Sequence, residues 1–284
     1  MMDSTQIRRC TVDIVAERFD GMASSSVDET LALEEPLEIR LGYGAAESRT
    51  VKPISVTMRT PGHDAELAVG FLLTEGIVVD ASDINSVNAM ESDSTAGSVV
   101  LVDLAPGVEV SVGKLQRNFY TTSSCGVCGK ASLMALRTVC PPRLPNHFTI
   151  DAHTLYHLTG QLRAEQGIFE RTGGLHAAAL FDDAGVLDSL REDVGRHNAV
   201  DKLIGAAFLA DRIPLRDRVL LLSGRASFEL LQKAMMAGVP MIASVGAPSS
   251  LAVQVAREFD ITLIGFLRDS HFNIYHGAER IHAK

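Results

Sequence analysis

The sequence is poor in several features that mark special classes of protein. It has no tryptophan, only four cysteines in 284 residues, and fewer basic residues (26) than acidic ones (35). So few cysteines argue against a disulfide-stapled fold and indicate a reducing compartment. The net charge of −9 argues against a broad nucleic-acid surface, so we expect no nucleic-acid partner. A local basic pocket for one phosphorylated ligand is compatible with that charge.

Long apolar segments are also missing. No apolar run reaches the length of a membrane span, and the first residues contain no apolar stretch of signal-peptide length. We therefore expect a cytoplasmic protein without a membrane partner. The composition, 46% apolar and 21% charged, is typical of a globular protein, and the length suits one large or two ordinary domains, of which we expect two.

The chain does contain a cysteine pair placed to react. Cys125 and Cys128 are separated by two residues within the segment 121–130, and small residues flank them. A helix-like run follows, so the positive end of a helix dipole and the charge of Lys130 both favour the thiolate over the thiol. Because the thiolate is the form that attacks sulfur, the segment predicts sulfur exchange.

Three other interpretations of the pair compete with this one. A zinc knuckle needs four ligands, whereas the remaining cysteines, Cys10 and Cys140, are isolated in the sequence, and we expect no metal site. A structural disulfide is disfavoured by the expected reducing compartment. A thioredoxin-type redox pair is the strongest rival, although such a pair usually opens the first helix of a βαβ unit and this one follows a long β-rich segment.

The first half of the chain is predicted to be a β-rich α+β domain. An N-cap at Asp64, followed by apolar residues on one helical face, predicts a helix that Gly76 ends. Residues 19–26 have the composition of a Gly/Ser loop, after an imperfect alternation at 10–16. Alternating apolar and polar residues predict strands at 37–43, 54–58, 99–104 and 108–112.

Three closely spaced prolines in residues 140–145 mark a break in the chain. We assign residues 1–120 to the β-rich domain, 121–145 to the cysteine loop, a helix and a proline-rich linker, and 146–284 to an α/β domain. Apolar strands that alternate with helices predict a mostly parallel sheet covered on both faces, in three αβα layers. The predicted helices are 152–166, 198–210, 228–237 and 250–259, and the predicted strands are 175–181, 186–190, 218–222, 241–245 and 261–266.

Several loops of the second half are expected to meet at one edge of this sheet, where ligands of such sheets bind. His197 and Asn198, beside Arg196 at a helix start, suit an anionic ligand, and Arg225 follows a strand in a phosphate-cradle layout without a Walker motif. Each loop taken alone favours a structural role. Together they favour a nucleotide-like pocket; the loops are 172–176, 191–198, 223–227, 245–250 and 266–271.

Read jointly, these motifs strongly resemble one family, the formate dehydrogenase accessory sulfurtransferases, or FdhD-like sulfur carriers. The resemblance runs in order from about Leu37 to Tyr275, and the string from Asp193 to Lys202 is too long to arise by chance. The matching segments are 60–62, 69–72, 124–130, 172–176, 193–202 and 223–225.

The resemblance implies a specific activity. Family members take sulfane sulfur from a cysteine desulfurase and deliver it, as a persulfide, to the Mo-bis(molybdopterin guanine dinucleotide) cofactor before that cofactor enters formate dehydrogenase. The persulfide cysteine falls on Cys125, with Cys128 as its helper. We also expect GDP-like nucleotides to occupy the cofactor site and the chain to form a homodimer.

The resemblance also places the cofactor site. The family's cofactor segment falls on Phe266, Leu267, Arg268, Asp269, Ser270 and His271, with Arg225 and His197 as further candidate contacts. Asp269 stands where the family often has glycine. The second domain is expected to be similar to the cytidine deaminase fold, but the deaminase zinc signature is absent from residues 223–229, so zinc-dependent deamination is not expected.

Two alternatives to the sulfurtransferase remain open on the sequence. A non-covalent chaperone of the molybdenum cofactor would bind and present it without using Cys125. A dithiol oxidoreductase would need Cys125 and Cys128 equally.

Overall fold

The computed structural model describes residues 9–90, 98–108, 110 and 147–283. The cysteine pair, the helix predicted after it and the proline-rich linker lie outside the described residues. Of the strand predicted at 108–112, only Val108 and Val110 are described, and neither is in a strand.

The described residues contain both helices and strands, and the two alternate mainly after residue 147. Six α-helices are described in full: α1 (Asp64–Thr74), α2 (Ala152–Glu165), α3 (Gly167–Thr172), α4 (Arg196–Leu209), α5 (Phe228–Met236) and α6 (Ser250–Glu258). The strands before residue 147 are β1 (Thr11–Asp20), β2 (Ala23–Ala32), β3 (Glu35–Tyr43), β4 (Thr50–Arg59), β5 (Ile84–Met90) and β6 (Ser98–Leu104). Those after it are β7 (Ile150–Asp151), β8 (His176–Phe181), β9 (Leu187–Asp193), β10 (Val219–Leu222), β11 (Met241–Ser244), β12 (Thr262–Gly265), β13 (Asn273–His276) and β14 (Ile281–His282).

The first two strands form a separate antiparallel hairpin. Thr11 pairs with Ala32, and the register continues to the turn. The Gly/Ser loop predicted at 19–26 is therefore wrong, because both strands run through it and only Gly21 (φ 63°) and Met22 lie between them. Neither face of the hairpin is buried along most of its length, so the alternation that marks a half-buried strand is absent from its sequence.

A four-stranded sheet follows, in the order β4-β3-β6-β5. Leu37, Ile39 and Leu41 of β3 alternate toward its covered face and are fully buried in the core to which α1 contributes. The described part of this half is β-rich with one long helix, α1, as predicted.

Helix α1 begins differently from its prediction. Its N-cap is His63, not Asp64, because the Asp64 carboxylate accepts two hydrogen bonds of 2.9 Å from the buried guanidinium of Arg59. The end of the helix is as predicted: Gly76 has φ 68° and its N–H donates to the carbonyl of Leu73.

The second sheet has six strands in the order β13-β12-β11-β10-β8-β9. The prediction of a mostly parallel sheet is wrong: β10, β11 and β12 are parallel to one another, but β8, β9 and β13 each join by antiparallel pairing. A short turn links β8 to β9 where a parallel pair would need a crossover helix. The boundaries of the elements predicted after residue 147 agree with the structure to within three residues.

Helices cover both faces of this sheet. Leu155, Leu158 and Leu162 of α2 pack on one face, and buried residues of α4, α5 and α6 pack on the other. The predicted α/β fold with a three-layer αβα second half is confirmed.

No helix of the described residues is long and apolar enough to span a bilayer.

Helices α1 and α4 cross with glycine at the contact on both sides. A Cβ added at Gly70 would overlap the carbonyl oxygen of Asp201, and one added at Gly205 would overlap that of Glu66. Through this crossing, one core joins residues of the four-stranded sheet to residues of the six-stranded sheet. The predicted domain boundary at the proline-rich linker stays a prediction.

Candidate functional site

The predicted loops do meet at one edge of the six-stranded sheet. Backbone hydrogen bonds continue the strand pairing into them: the N–H of Gly246 donates to the carbonyl of Gly224 at 2.9 Å, and the N–H of Phe266 donates to the carbonyl of Gly246 at 3.2 Å. His176, at the start of β8, pairs with Asp193, at the end of β9, beside them. The antiparallel strands therefore bring two further loops to the carboxyl end of β10.

A buried ion pair fixes the start of α4 at this edge. The Nζ of Lys202 lies 2.7 Å from Oδ2 of Asp193, and both side chains are at most 1% exposed. Lys202 also donates to the carbonyl of Thr60, whose own N–H donates to Asp193. The pair thus ties the end of β4 to the turn between β9 and α4, and its hydrogen bonds satisfy the buried charges.

Asn198 belongs to the same arrangement and not to a ligand contact. Its side-chain N–H groups donate to the carbonyl of Met58 at 2.8 Å and to Asp193 at 3.1 Å, while its oxygen accepts from the hydroxyl of Thr57. The expectation that Asn198 would serve an anionic ligand is therefore wrong, because the amide is already used in joining β4 to α4. Much of the long motif 193–202 is structural.

Arg196 and His197, by contrast, each have one buried nitrogen without a hydrogen-bond partner among the described residues. Nε of Arg196 and Nε2 of His197 are buried and accept or donate no hydrogen bond there. Burial, together with the charges of Arg196 and Lys233, lowers the pKa of His197 to about 4. Burial and Arg196 also lower the pKa of His176. Both imidazoles are consequently neutral at neutral pH and each offers one donor and one acceptor.

A cavity of about 620 Å³ opens on the α2 side of the edge. This volume is within the range of small-molecule sites. The guanidinium of Arg163 lies over the ring of Phe169 at 4.4 Å on one wall. The cavity is lined by Thr159, Gly160, Leu162, Arg163, Gln166, Phe169, Gly173, Gly174, Leu175, His176, Ser223, Val245, Leu267, Arg268 and Asp269.

The predicted cofactor segment supplies one wall of this cavity. Arg268 donates to the carbonyl of Val245 at 2.7 Å, which fastens the segment to the neighbouring loop. The hydroxyl of Thr159 donates to Asp269 at 2.6 Å across the cavity mouth. Phe266 has φ 54°, a left-handed conformation that turns the chain sharply after β12.

The structure brings together some of the predicted site residues. Leu267, Arg268 and Asp269 line the cavity, whereas Arg225 and His197 do not: Arg225 lies in the loop after β10 and His197 in the first turn of α4, both at the same edge. Phe266, Ser270 and His271 are exposed next to the lining residues. Cys125 and Cys128 lie outside the described residues.

The wall that α2 and α3 contribute to the cavity was not predicted from the sequence. Thr159, Arg163 and Phe169 lie on elements read as ordinary amphipathic helix or not predicted at all. Sequence spacing alone does not show that α2 faces the cofactor segment.

Four arginines at this edge lack a carboxylate partner within the described part of the chain. Arg59, Arg191 and Arg280, by contrast, are ion-paired with carboxylates. In the described ranges, none of the arginines at the edge has a carboxylate within ion-pair distance; they are Arg163, Arg196, Arg225 and Arg268. An edge whose guanidinium groups are outside ion pairs, and whose imidazoles are neutral, suits an anionic ligand, even in a chain of net charge −9.

Comparison with known proteins identifies the same family that the motifs resemble. The sequence model of the FdhD/NarQ family matches residues 32–282. The chain is 52% identical over 270 residues to a Streptomyces coelicolor protein named sulfur carrier protein FdhD, with 92% of each chain covered. It is 54% identical over 263 residues to the protein of that name from Mycobacterium tuberculosis, covering 89% of this chain and 92% of the relative.

A solved structure is similar in fold. The crystal structure of a formate dehydrogenase accessory protein from Desulfotalea psychrophila gives a TM-score of 0.73 at 22% identity, and the match covers 96% of this chain and 100% of that one.

Proposed function

The chain belongs to the FdhD/NarQ family, and from that premise we propose that it is a sulfur carrier in the maturation of formate dehydrogenase. It receives sulfur as a persulfide from a cysteine desulfurase and transfers it to Mo-bis(molybdopterin guanine dinucleotide), which is its cargo. The observation that carries the proposal is the 52% identity to a named sulfur carrier in a chain that keeps the Cys125 and Cys128 pair.

The chemistry requires one nucleophilic thiolate. The Cys125 thiolate attacks the terminal sulfur of a donor persulfide; a new S–S bond forms on Cys125, the donor S–S bond breaks, and the donor cysteine leaves as a thiolate. No net oxidation occurs in this step. Attack of the Cys128 thiolate on Cys125 would then expel hydrosulfide toward the cargo and leave a disulfide, which a dithiol reductant must reopen.

The sheet edge supports the cargo half of the proposal. A bis-nucleotide cofactor carries phosphate groups, and arginines that have no carboxylate partner among the described residues, here Arg163, Arg196 and Arg268, are side chains suited to hold phosphate. Cavities of about 620 Å³ accommodate one drug-sized group, which suits one nucleotide of the cargo with the remainder along the edge.

Intact-protein mass spectrometry tests the sulfur half. After incubation with a cysteine desulfurase and cysteine, we expect wild type to gain the mass of one sulfur atom, lost again on reduction. Cys125→Ala should gain nothing, and Cys140→Ala, which removes an isolated cysteine, should gain as wild type does. A mass gain that survives in Cys125→Ala would contradict the assignment of the persulfide to Cys125.

The same variants separate the two alternatives. If Cys125→Ala still supports active formate dehydrogenase, the chain is a non-covalent chaperone. If Cys125→Ala and Cys128→Ala abolish a dithiol-dependent insulin reduction equally and no persulfide forms, the chain is an oxidoreductase.

A further inference from the structure

Two histidines on the exposed face of α2 have the spacing of a helical pair of metal ligands. His153 and His157 are four positions apart, both are exposed, and their imidazole ring centroids lie 4.6 Å apart. Residues four apart lie on one face of a helix, and two histidines at this spacing hold zinc in the helical motif of metalloproteases. The expectation that the chain has no metal site rested on its cysteines alone and does not cover this pair.

The distance between the two rings fits two ligands of one ion. A metal–nitrogen bond to imidazole is about 2.1 Å and the ring centroid lies about 1.1 Å behind the nitrogen, so each centroid would lie about 3.2 Å from the ion. Two such ligands put their centroids about 4.5 Å apart at a right angle and about 5.2 Å apart at a tetrahedral angle. The observed 4.6 Å fits the right angle, which belongs to the tetragonal coordination of Ni²⁺ and Cu²⁺.

Both imidazole rings are available to an ion. The backbone N–H of His153 donates to Oδ1 of Asp151 at 2.8 Å, but no hydrogen bond or ion pair within the described part of the chain involves either ring. A neutral imidazole has one nitrogen lone pair to give to a metal. Since the described residues contain no group of three or more potential metal ligands, water would fill the remaining coordination positions.

The helix that carries the pair is fixed to the sheet. Leu155 and Leu158, on the opposite face of α2, are fully buried in the core, and the ring of Tyr156 lies 5.4 Å from that of Phe272. The backbone around both histidines is therefore in place before an ion binds, which reduces the conformational cost of chelation. Asp151, the N-cap, offsets the positive end of the helix dipole, which would otherwise oppose a cation in the first turn.

We propose that His153 and His157 chelate one divalent ion of the Ni²⁺ or Cu²⁺ class and thereby tie the first two turns of α2 together. In the metalloprotease motif a glutamate follows the first histidine as general base, whereas Thr154 stands there in this chain. The site is therefore a binding site and not a hydrolytic one. It does not depend on the proposed function, since it uses neither the cysteine pair nor the cavity.

Calorimetric titration of the full chain with Ni²⁺ tests the proposal. The chain carries Cys125→Ala and Cys128→Ala throughout, because thiolates also bind such ions. Two ligands on one rigid helix act as a chelate, so loss of either should weaken Ni²⁺ binding by about 100-fold or more. His153→Gln and His157→Gln should therefore each lose nearly as much affinity as the double variant. Mg²⁺, which takes oxygen ligands, should not bind to this pair.

Moving one histidine along the helix gives matched controls. In His157→Gln/Gln161→His the two histidines are eight positions, or about 12 Å, apart along the helix axis and should not chelate. In His153→Gln/Gln161→His the four-residue spacing is restored one turn later, and most of the Ni²⁺ affinity should return. Gln161 is exposed and does not line the cavity. Both variants keep the number of histidines, and circular dichroism checks that each is folded.

The results divide clearly. Loss of Ni²⁺ binding at the eight-residue spacing together with its return at the shifted four-residue spacing supports the chelate. If wild type and both single variants bind Ni²⁺ with the same affinity, the two imidazoles make a ring contact only and the proposal is overturned. Neither result bears on sulfur carriage, which the mass gain on Cys125 reports separately.

Discussion

Replacing either glycine at the α1–α4 crossing with alanine should destabilise the fold strongly for so small a change. A Cβ at Gly70 would overlap the carbonyl oxygen of Asp201 and lie 2.7 Å from its carbon. A Cβ at Gly205 would lie 2.7 Å from the carbonyl carbon of Glu66. Relaxed carbon contacts are about 3.5–4.0 Å, so the helices must part by roughly 1 Å to admit one methyl group.

The expected cost follows from what that separation disrupts. Both obstacles are backbone atoms of packed helices, which cannot rotate away as a side chain can, and the helices carry core residues on both sides of the crossing. Overpacking typically costs 1–3 kcal/mol, and this case belongs at or above about 3 kcal/mol. Alanine gains about 1 kcal/mol over glycine in helix propensity, which leaves a net loss of at least about 2 kcal/mol.

Urea unfolding followed by circular dichroism measures this loss, with Gly160→Ala as the matched control. Gly160 is also inside a helix, α2, but a Cβ there meets nothing within 4 Å, so the same substitution should stabilise by up to about 1 kcal/mol. The double variant Gly70→Ala/Gly205→Ala should lose less than the sum of the single losses, because one separation admits both methyl groups. Equal stabilities of Gly70→Ala and Gly160→Ala would refute the reasoning.

Two further predictions concern buried ionisable side chains at the ligand-binding edge proposed for the six-stranded sheet. Lys202→Met leaves the carboxylate of Asp193 buried without its partner and should lose about 3–5 kcal/mol in urea unfolding, whereas exposed Lys52→Met should change stability by no more than about 0.5 kcal/mol. His197 has a pKa of about 4 in the fold, below its unfolded value, so its contribution is complete above the unfolded pKa and falls as the pH drops from there toward 4. Measured at about pH 7.5 and about pH 5, wild type should lose more unfolding free energy than His197→Asn, by up to about 2 kcal/mol, the full value over this pH range for a pKa lowered to about 4. A pH dependence unchanged in His197→Asn would show that the imidazole is not held neutral by the fold.

Local patterns predicted the helices and the inner strands well, because β3 has one buried face and β10, β11 and β12 are short apolar runs buried at every position. Leu37, Ile39 and Leu41 alternate into a core, and the glycine signal at the end of α1 comes from backbone chemistry that acts within a few residues. The hairpin of β1 and β2 escaped the same method, since its serines and exposed apolar side chains show no single buried face.

The sequence did not predict the direction of strand pairing or the hydrogen-bond partners of individual side chains. A strand such as β8 is apolar whether its neighbour runs parallel or antiparallel, so alternation with helices suggested more parallel pairing than exists. Asn198 is a residue type that suits an anionic ligand, but its side-chain amide is hydrogen-bonded to Met58, Asp193 and Thr57, which lie on other elements. The cluster of loops at one edge was confirmed, because strand ends follow from strand assignments.

The glycine crossing also bears on how the chain is made. Gly70 and Gly205 are separated by 135 positions (205 − 70), so at about 5–20 residues per second the ribosome delivers the second roughly 7 to 27 seconds after the first. During that interval α1 has no partner for the surface that α4 later occupies. Until α4 is synthesised, the apolar residues of α1 lack this partner, and exposed apolar surface of this kind makes an incomplete chain prone to aggregation.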